Sequence, residues 1–408
     1  MVARIRYKIL TPLRFFFNDS RATGVLLIVC TIISLILANT TSRGGWYSNF
    51  WNTKMAIFEG AHLPGSPLEW INNFFMSFFF VLAATEIKRE LLTGELSSFK
   101  KAILPFGAAF GGMLFPALIF AVFNLHSHFS HGWGIPTATD IAFSLGAASL
   151  LGKRFPVGLK ILLMALAIID DLGAIVVIAL FYGGHINWMF LGISSLLFLV
   201  LFACNYLKLR FGVFHVVLGL ALWFTMLQSG IEASITGVLF AFAMPIDALA
   251  VIERAIHRQV NFIILPLFAL ANTAILFPDN IVQSIGTPVG MGILFGLVVG
   301  KPVGIFLVSR IMVGLKIADL PSNVKWKEIL GMGALAGIGF TMSIFTTMLA
   351  FSESGARNTA KISILASVLI SLGLSYVYFR AISITKNIQN VMIPTAAGER
   401  PAVQLNLS

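Results

Sequence analysis

The chain has 408 residues, of which 58% are hydrophobic and only 11% are charged, and its mean hydropathy is +0.91. This much apolar surface cannot be buried inside one or two soluble cores, so the composition excludes a soluble globular protein. The net charge of +11 would suggest a nucleic-acid partner in a soluble protein. Here the basic residues are spaced between apolar runs, so we expect them to orient the chain in a membrane and expect no nucleic-acid partner.

Apolar runs bounded by charge, Gly or Pro predict twelve membrane-spanning helices. Runs such as residues 24–38 and 188–207 approach or reach the roughly 20 residues that a transmembrane helix needs. They lack the alternation of membrane-spanning strands, so the predicted fold class is an all-α integral membrane protein with one transmembrane domain over residues 1–408. The predicted helices cover residues 15–40, 70–92, 102–123, 137–151, 157–182, 188–207, 212–228, 231–245, 248–277, 288–312, 326–351 and 357–383.

Lys and Arg are distributed unevenly between the two sides of this predicted topology. Nearly all of them lie in the N-terminal segment 1–14, near the loops that follow even-numbered helices, and near the tail 386–408. The opposite loops hold only Arg43, Lys54, Arg357 and Lys361. Because loops rich in Lys and Arg stay in the cytoplasm, we expect both termini to be cytoplasmic. No convincing small-residue cleavage site follows the first apolar run, so we expect the first helix to be retained.

The segment 41–69, between the first two helices, is long for a membrane loop and combines aromatic with turn residues. It predicts a periplasmic loop, a hairpin or a short surface helix. Such an element could serve self-association, so a homodimer stays open at this point.

Two apolar segments are interrupted in ways that a simple spanning helix is not. "PTATDIAFSLGAASLL" (136–151) begins at a proline and is rich in Thr, Ser and Gly, and "GALAGIGFTMSIFTTM" (333–348) has three glycines in seven residues, followed by Thr341. A pair of interrupted segments in corresponding halves of a chain is typical of transporters with inverted repeats and a binding site at broken helices. We therefore expect helices 4 and 11 to be broken and to cross, with helices 3–5 repeated as helices 10–12.

Four ionisable residues lie well inside predicted spans: Asp140, Asp170, Asp171 and Lys301. Each costs about 2.5 to 3.5 kcal/mol at the centre of a membrane helix, so it needs a partner, water or a function. Buried ion pairs that merely fix packing are the simplest explanation. Three carboxylates against one lysine leave charge unpaired, however, and that favours a functional site.

Asp170 and Asp171 cannot both face the same point, because consecutive residues of a helix point about 100° apart. One of them can share a wet cavity with Asp140, while the other turns toward Lys301. Two carboxylates around one cavity form a hard-oxygen site for a small cation or for protons, which then compete. Thr139 and the unwound backbone could add neutral oxygen ligands, and Asp140 and Lys301 could compensate the dipoles of the broken helices.

Other classes of membrane protein fit these residues less well. A channel would need a repeated filter or rings of charge, which the sequence lacks. "GLVVGKP" (296–302) lacks the spacing and the Ser/Thr of a phosphate-binding loop, so ATP hydrolysis is not supported. An intramembrane aspartyl protease is the alternative enzyme, but "AIIDDLG" (167–173) lacks the Gly-x-Gly-Asp pattern and Lys301 would have no role.

The loop "HSHFSH" (126–131) favours a polar turn over a zinc site, because no Cys or carboxylate accompanies its histidines.

Five segments resemble, in order and spacing, motifs of the NhaA-type sodium/proton antiporters of bacterial inner membranes. They are "TATDIAFSLG", "ALAIIDDLGAIVVIALFY", "LPLFALAN", "GKPVGI" and "GIGFTMSIF", and the similarity runs over most of the chain. The resemblance implies an electrogenic antiporter that exports Na⁺, and also Li⁺, in exchange for periplasmic protons by alternating access. It implies no cofactor.

The same resemblance implies roles for individual residues. Asp171 is the main carboxylate for cation and proton, Asp140 and Thr139 lie beside it, and Asp170 pairs with Lys301. Transported Na⁺ is then bound by Asp171 and Asp140.

A second cluster resembles the cytoplasmic pH-sensing region of that family. Glu86 and Glu90 are four residues apart, as are Glu253 and His257, so each pair can share a helix face. Without the resemblance, a solvated helix end would be favoured. The candidates are Glu86, Arg89, Glu90, Glu253, Arg254 and His257, with Lys88 beside them.

Three positions depart from the pattern of the family. Asn73 stands where an Asp is common, Glu232 stands where a His is common, and Arg254 replaces a His beside Glu253. The loss of two histidines that titrate near neutral pH predicts a shifted or weaker pH response.

Overall fold

The computed structural model describes residues 20–40, 45–55, 63–184, 186–321 and 324–392. Within these ranges the chain forms helices and connecting segments, without strands. The basic residues Arg4, Arg6, Lys8 and Arg14 and most of the tail 386–408 lie outside them. The predicted fold class of an all-α membrane protein is confirmed at this coarser level, while the count of twelve spans stays a prediction.

Sixteen helices are named in chain order within the described residues, and most predicted ranges coincide with one or two of them. They are α1 Ser20–Thr40, α2 Gly45–Asn52, α3 Pro67–Leu92, α4 Phe99–Phe123, α5 Ile141–Leu150, α6 Val157–Phe181, α7 Trp188–Tyr206, α8 Val213–Ser229, α9 Ala233–Ala243, α10 Ile246–Gln259, α11 Leu265–Asn272, α12 Ile281–Ile285, α13 Pro288–Gly314, α14 Trp326–Ala336, α15 Phe340–Ala350 and α16 Ser354–Met392.

Seven of these helices are long and apolar enough to cross a membrane: α1, α3, α4, α6, α7, α13 and α16. The pair α14 and α15, bent by 49° at a short break, makes an eighth span among the described residues if it is counted as one. Helices α5, α8 and α9 are apolar but shorter. The short helix α2 lies inside the predicted loop 41–69, of which residues 41–44 and 56–62 are outside the described part.

The predicted helix 137–151 is wrong at its start, where the structure has three different conformations. A 3₁₀ segment covers Ser130–Thr137, residues 138–140 are extended, and the α-helix begins only at Ile141. Asp140 is the N-cap residue of α5, and its side chain accepts a hydrogen bond from the backbone N–H of Phe143. Asp is a favourable N-cap residue, so Asp140 lies at the start of α5 and not inside a helix as the prediction had it.

Close backbone contact between α4 and α13 positions Lys301. A Cβ atom on Gly111 would lie 2.3 Å from the carbonyl oxygen of Gly304, and one on Gly304 would lie 2.2 Å from that of Gly111. Only glycine fits at both positions, as in other small-residue crossings of membrane helices. Lys301 follows a π-helical segment, Gly296–Gly300, and π turns of this kind are frequent at functional sites.

Helices α3 and α9 are also held tightly together. The Lys88 ammonium on α3 donates hydrogen bonds to the carbonyl oxygens of Phe242 (2.8 Å) and Met244 (2.5 Å) at the end of α9. A Cβ atom on Gly237 of α9 would lie 2.1 Å from the carbonyl oxygen of Ser77 on α3. The positive charge therefore satisfies carbonyl groups that a helix C-terminus leaves without partners.

Candidate functional site

The site is built where two interrupted helices cross. The extended residues 138–140 before α5 meet the break between α14 and α15, and the backbone N–H of Asp140 donates to the carbonyl oxygen of Ile338 at 2.7 Å. One turn further along, the Ser144 hydroxyl donates to the Leu335 carbonyl oxygen at 2.9 Å. Only glycine fits at position 337 in the break, because a Cβ atom there would lie 2.4 Å from the Leu297 carbonyl oxygen.

Asp140 receives hydrogen bonds from the N-termini of two helices. Its Oδ1 accepts from the backbone N–H of Phe143 in α5 at 2.9 Å. Its Oδ2 accepts from both the backbone N–H (3.1 Å) and the hydroxyl (2.6 Å) of Thr341 in α15. Helix N-termini carry partial positive charge, so both half-helices favour a negative group at this one carboxylate.

Lys301 is fully buried and pairs with Asp170, which is equally buried. The ammonium Nζ lies 2.8 Å from Asp170 Oδ2 and also donates to the carbonyl oxygen of Thr137, at the end of the 3₁₀ segment. The Thr139 hydroxyl lies 2.7 Å from Asp170 Oδ2 and 2.9 Å from the carbonyl oxygen of Ala336, the last residue of α14. Since a hydroxyl has one hydrogen, it donates to one of these acceptors at a time.

Asp171 has a different environment from its neighbour. Its side chain lines a cavity of about 470 Å³ together with Asp140 and Thr341. Its Oδ1 is buried and has no hydrogen-bond partner among the described residues. Asp171 is therefore the carboxylate at this crossing whose charge the surrounding protein leaves without a direct partner.

The cavity continues from the crossing to one side of the molecule, where α3 ends and α10 lies. Glu86, Arg89, Glu90 and His257 line this outer part. Glu253 does not line it, but its carboxylate pairs with the Arg89 guanidinium. Five of the six residues named as pH-response candidates are therefore at the cavity mouth or bound to it.

Arg254 is the exception among those candidates. Its Nε donates back to the carbonyl oxygen of Ala250 on its own helix at 2.9 Å, and its side chain is exposed. Glu232 caps the short turn Ala233–Ile235, and Asn73 lies in the π-helical segment Ile71–Phe75 of α3. None of these three side chains lines the cavity.

Two features of the site do not follow from charge and spacing alone. The charges allow Lys301 to pair with either Asp170 or Asp140, the resemblance implies Asp170, and in the structure Lys301 pairs with Asp170. Thr341 is absent from the predicted site residues. Its place directly after a Gly-rich break, at the start of a helix, is the signal that could have identified it.

The arrangement suits a small cation or a proton. Carboxylate oxygens of Asp171 and Asp140, with the neutral oxygen of Thr341, surround a cavity that reaches the outside through charged residues. Hard cations prefer such oxygen ligands. Within the described residues, no group of three or more His, Cys, Asp or Glu side chains is placed to hold a resident metal ion.

The chain is similar to a family of known transporters over most of its length. The family model described as Na⁺/H⁺ antiporter 1 matches residues 14–379. The Na⁺/H⁺ antiporter NhaA 2 of Flavobacterium johnsoniae is 46% identical over 379 residues, which cover 90% of this chain and 92% of that protein. The NhaA 2 antiporter of Clostridium beijerinckii is 41% identical over 394 residues, with 94% and 97% coverage, and the NhaA antiporter of Citrobacter koseri is 39% identical over 375 residues, with 90% and 97% coverage.

Proposed function

This chain belongs to the Na⁺/H⁺ antiporter 1 family, and from that premise we propose that it exports Na⁺ in exchange for protons through Asp171 and Asp140. It is a multi-pass membrane protein and a secondary transporter, so the aspartyl protease alternative is set aside. The resident bilayer is the bacterial inner membrane in this proposal, and Li⁺ is a second substrate.

The observation that carries the proposal is the contrast within one helix turn of α6. Each aspartate has a buried Oδ1 without a hydrogen-bond partner, but the Asp170 carboxylate is neutralised by Lys301 at 2.8 Å. The Asp171 carboxylate lines the cavity and has no ion pair or hydrogen bond among the described residues. A buried carboxylate without a partner is costly. Binding either Na⁺ or a proton removes that cost. The two ions compete, because both cannot occupy the same carboxylate oxygens at once.

Competition of this kind couples the two substrates. Na⁺ bound between Asp171 and Asp140 displaces protons from both carboxylates, and protons that return displace Na⁺. One monovalent cation then exchanges for more than one proton, so each cycle moves net charge. The unpaired charge of the empty site favours loading before the protein changes conformation.

Alternating access requires the site to face each side in turn. The cavity opens where α3 ends, and in this proposal the crossing of α5 with α15, joined by the hydrogen bond from Asp140 N–H to the Ile338 carbonyl oxygen, closes the other direction. We place helices 3–5 and 10–12 as inverted repeats of a twelve-span fold, with the two broken helices crossing at the site. Movement of these repeats against the rest of the molecule would carry the site from one side to the other.

The distribution of Lys and Arg gives the orientation. The side where α3 ends and α4 begins holds most of the basic residues, so it is cytoplasmic in this proposal and both termini lie there. The cavity mouth with Glu86, Arg89, Glu90 and His257 then faces the cytoplasm, where it can respond to internal pH. Because Asn73, Glu232 and Arg254 replace the residues common in the family, that pH response is weaker or shifted in this proposal. A homodimer is the proposed assembly.

Sodium-driven proton movement in everted membrane vesicles tests the function. Respiration acidifies the vesicle interior, and added Na⁺ or Li⁺ should dissipate the pH gradient reported by a fluorescent dye. Asp171→Asn should abolish the response, and Asp140→Asn should weaken it strongly. The matched control is Asp319→Asn, since Asp319 is an exposed aspartate in the loop after α13.

The result that would overturn the proposal is equally direct. Either the unaltered protein fails to dissipate the gradient at any pH between 6 and 9, or Asp171→Asn responds as the Asp319→Asn control does.

A further inference from the structure

The far end of α15 is held by two side chains that the transport site does not use. Arg357, in the first turn of α16, donates from its guanidinium to the carbonyl oxygens of Met348 (3.1 Å) and Phe351 (2.5 Å). His131 Nε2 lies 2.6 Å from the carbonyl oxygen of Ala350, the last residue of α15. A carbonyl oxygen only accepts, so Nε2 carries the hydrogen and Nδ1 is the nitrogen that can gain or lose a proton.

This end of α15 lies on the opposite side of the molecule from the cavity mouth. Helix α4 starts beside the end of α3, near the mouth, and crosses to Phe123, from which the chain leads directly to His131. A helix of 25 residues spans about 37 Å. His131 is exposed, so it is in contact with solvent on the side opposite the cavity mouth.

His131 joins the three segments that carry the transport site. Its own 3₁₀ segment, Ser130–Thr137, continues into Asp140. Its ring holds the end of α15, whose beginning donates to the Asp140 carboxylate. Its backbone oxygen accepts from the hydroxyl of Tyr182, the C-cap residue of α6, and the same hydroxyl accepts from the backbone N–H of Gly134.

A positive charge at the C-terminal end of α15 stabilises the contacts made there. The C-terminus of a helix carries partial negative charge, so a cation there stabilises the contact. The Arg357 guanidinium supplies one cation at every pH of interest. Protonation of Nδ1 keeps the His131 hydrogen bond to Ala350 and adds a second cation, which ties the 3₁₀ segment more firmly to α15.

We propose that His131 is a proton-responsive positioning residue, which acts through the end of α15 and holds the closed side of the molecule shut when it is protonated from the solvent. The inference rests on the proposed function, in which that side is the periplasm. An acidic periplasm then slows opening toward it, and an alkaline periplasm releases α15 and speeds sodium export. This control is separate from the cytoplasmic cluster around Glu86.

Other charged and titratable groups surround the same corner and must be considered in the test. The His128 ring lies 6.3 Å from the His131 ring, centroid to centroid. Tyr182 bonds the His131 backbone oxygen, and Arg357 bonds the end of α15. Glu353 and Lys361 each lie four residues from Arg357, before and within α16. His128→Gln is the matched control, because no hydrogen bond joins the His128 ring to α15 in the described part of the chain.

The test measures sodium flux in proteoliposomes that hold the full chain in one orientation, with the His131 side facing outward. The external pH is varied and the internal pH is fixed. His131→Gln keeps an N–H donor but cannot be charged, and His131→Lys is charged throughout. Relative to the unaltered protein at the same pH, His131→Gln should be about two- to fivefold faster at pH 5.5 and equal at pH 8.5. His131→Lys should be equal at pH 5.5 and slower by a similar factor at pH 8.5.

A purely structural role would change the flux of each variant by one factor at every pH, and that result would overturn the inference. Hydrogen exchange of residues 340–351 in detergent tests it without transport. At pH 5.5 the His131→Gln variant should exchange faster than the unaltered protein and the His128→Gln control, and equal rates would also overturn it. If the unaltered protein does not transport Na⁺ against protons, the proposed function fails. The hydrogen-exchange rates of residues 340–351 still decide the role of His131 in that case.

Discussion

Asp170 and Asp171 are neighbours in the chain and equally buried, but they lie in opposite environments. Asp170 pairs with Lys301 and lies within hydrogen-bond distance of the Thr139 hydroxyl, and it does not line the cavity. Asp171 lines the cavity and has neither an ion pair nor a hydrogen bond among the described residues, although the Oδ1 atoms of both aspartates lack a partner. The difference follows from the rotation of about 100° between successive helical residues. A single helix can therefore carry one carboxylate that takes part in packing and one that, in the proposed function, binds the transported cation.

The comparison also separates two uses of polar contacts. On the Asp170 side, Lys301 and Thr139 also reach Thr137 and Ala336, at the ends of two helical segments, so the pair serves the packing of the crossing. On the Asp171 side, Asp140 accepts from two helix beginnings and still lines the cavity. We expect substitutions on the first side to change stability and those on the second to change sodium binding.

The largest effect on stability is expected from Lys301→Met. The substitution leaves Asp170 as a buried charge without its partner, and breaking a buried pair in this way costs about 3 to 5 kcal/mol. Thermal unfolding in detergent should show the loss. The double variant Asp170→Asn/Lys301→Met should recover most of it, and a double variant no more stable than the single one would remove the distinction between the two aspartates.

The second prediction concerns sodium-dependent stability. Sodium at 100 times its dissociation constant stabilises a protein that binds it only when folded by about 2.7 kcal/mol. Asp171→Asn should lose this gain, while its unfolding without Na⁺ should be no easier than that of the unaltered protein, because the lost carboxylate had no partner. A sodium-dependent shift as large as that of Asp319→Asn would contradict the assignment.

The two threonines of the crossing offer a finer test. Thr341→Val removes a hydroxyl bond to Asp140 and should weaken sodium affinity about tenfold, since a hydrogen bond to a charged group contributes about 1.5 kcal/mol or more. Thr139→Val removes a similar bond to Asp170 and should lower stability by a comparable amount while sodium affinity changes little. Thr341→Ser should restore affinity, and equal affinities for the two valine variants would show that the sides are not separate.

The smallest effect is expected at the cavity mouth, where an ion pair is exposed. The Arg89 and Glu253 side chains are 48% and 22% exposed, so their pair should contribute less than about 1 kcal/mol. Glu253→Gln should change the unfolding temperature little, and any change should disappear at high salt. A loss comparable to that of Lys301→Met would mean that the exposed pair holds the fold as the buried pair does.

Much of the architecture could be predicted because it depends on hydrophobicity and local sequence. The helices containing Asp170, Asp171 and Lys301 are long apolar runs, and helical geometry alone required the two aspartates to differ. The Gly-rich segment 333–348 indicated a break, and the structure has one at 337–339.

What could not be predicted depends on contacts between distant segments. An interruption of helix 4 is expected from the composition of residues 136–151, but the start of the α-helix at Ile141 and the hydrogen bond from Asp140 N–H to the Ile338 carbonyl oxygen are not, because no periodicity reveals such a contact. Charge alone does not choose between Asp170 and Asp140 as the partner of Lys301, and only the resemblance favours Asp170. The place of Thr341 after the Gly-rich break could mark it as a candidate, but its hydroxyl reaches Asp140 across 201 positions of sequence, and that contact depends on the fold.

The fastening of α3 to α9 limits which parts of the protein can move. The Lys88 ammonium bonds two carbonyl groups at the end of α9, and Gly237 lies against the α3 backbone, so we expect these two helices to move together. The Glu86 and Arg89 side chains of the cavity mouth belong to α3 and would move with it. Any opening or closing of the mouth would then take place on the other face of α3, toward α6 and α10, and would have to break the exposed Arg89–Glu253 pair or carry α10 along.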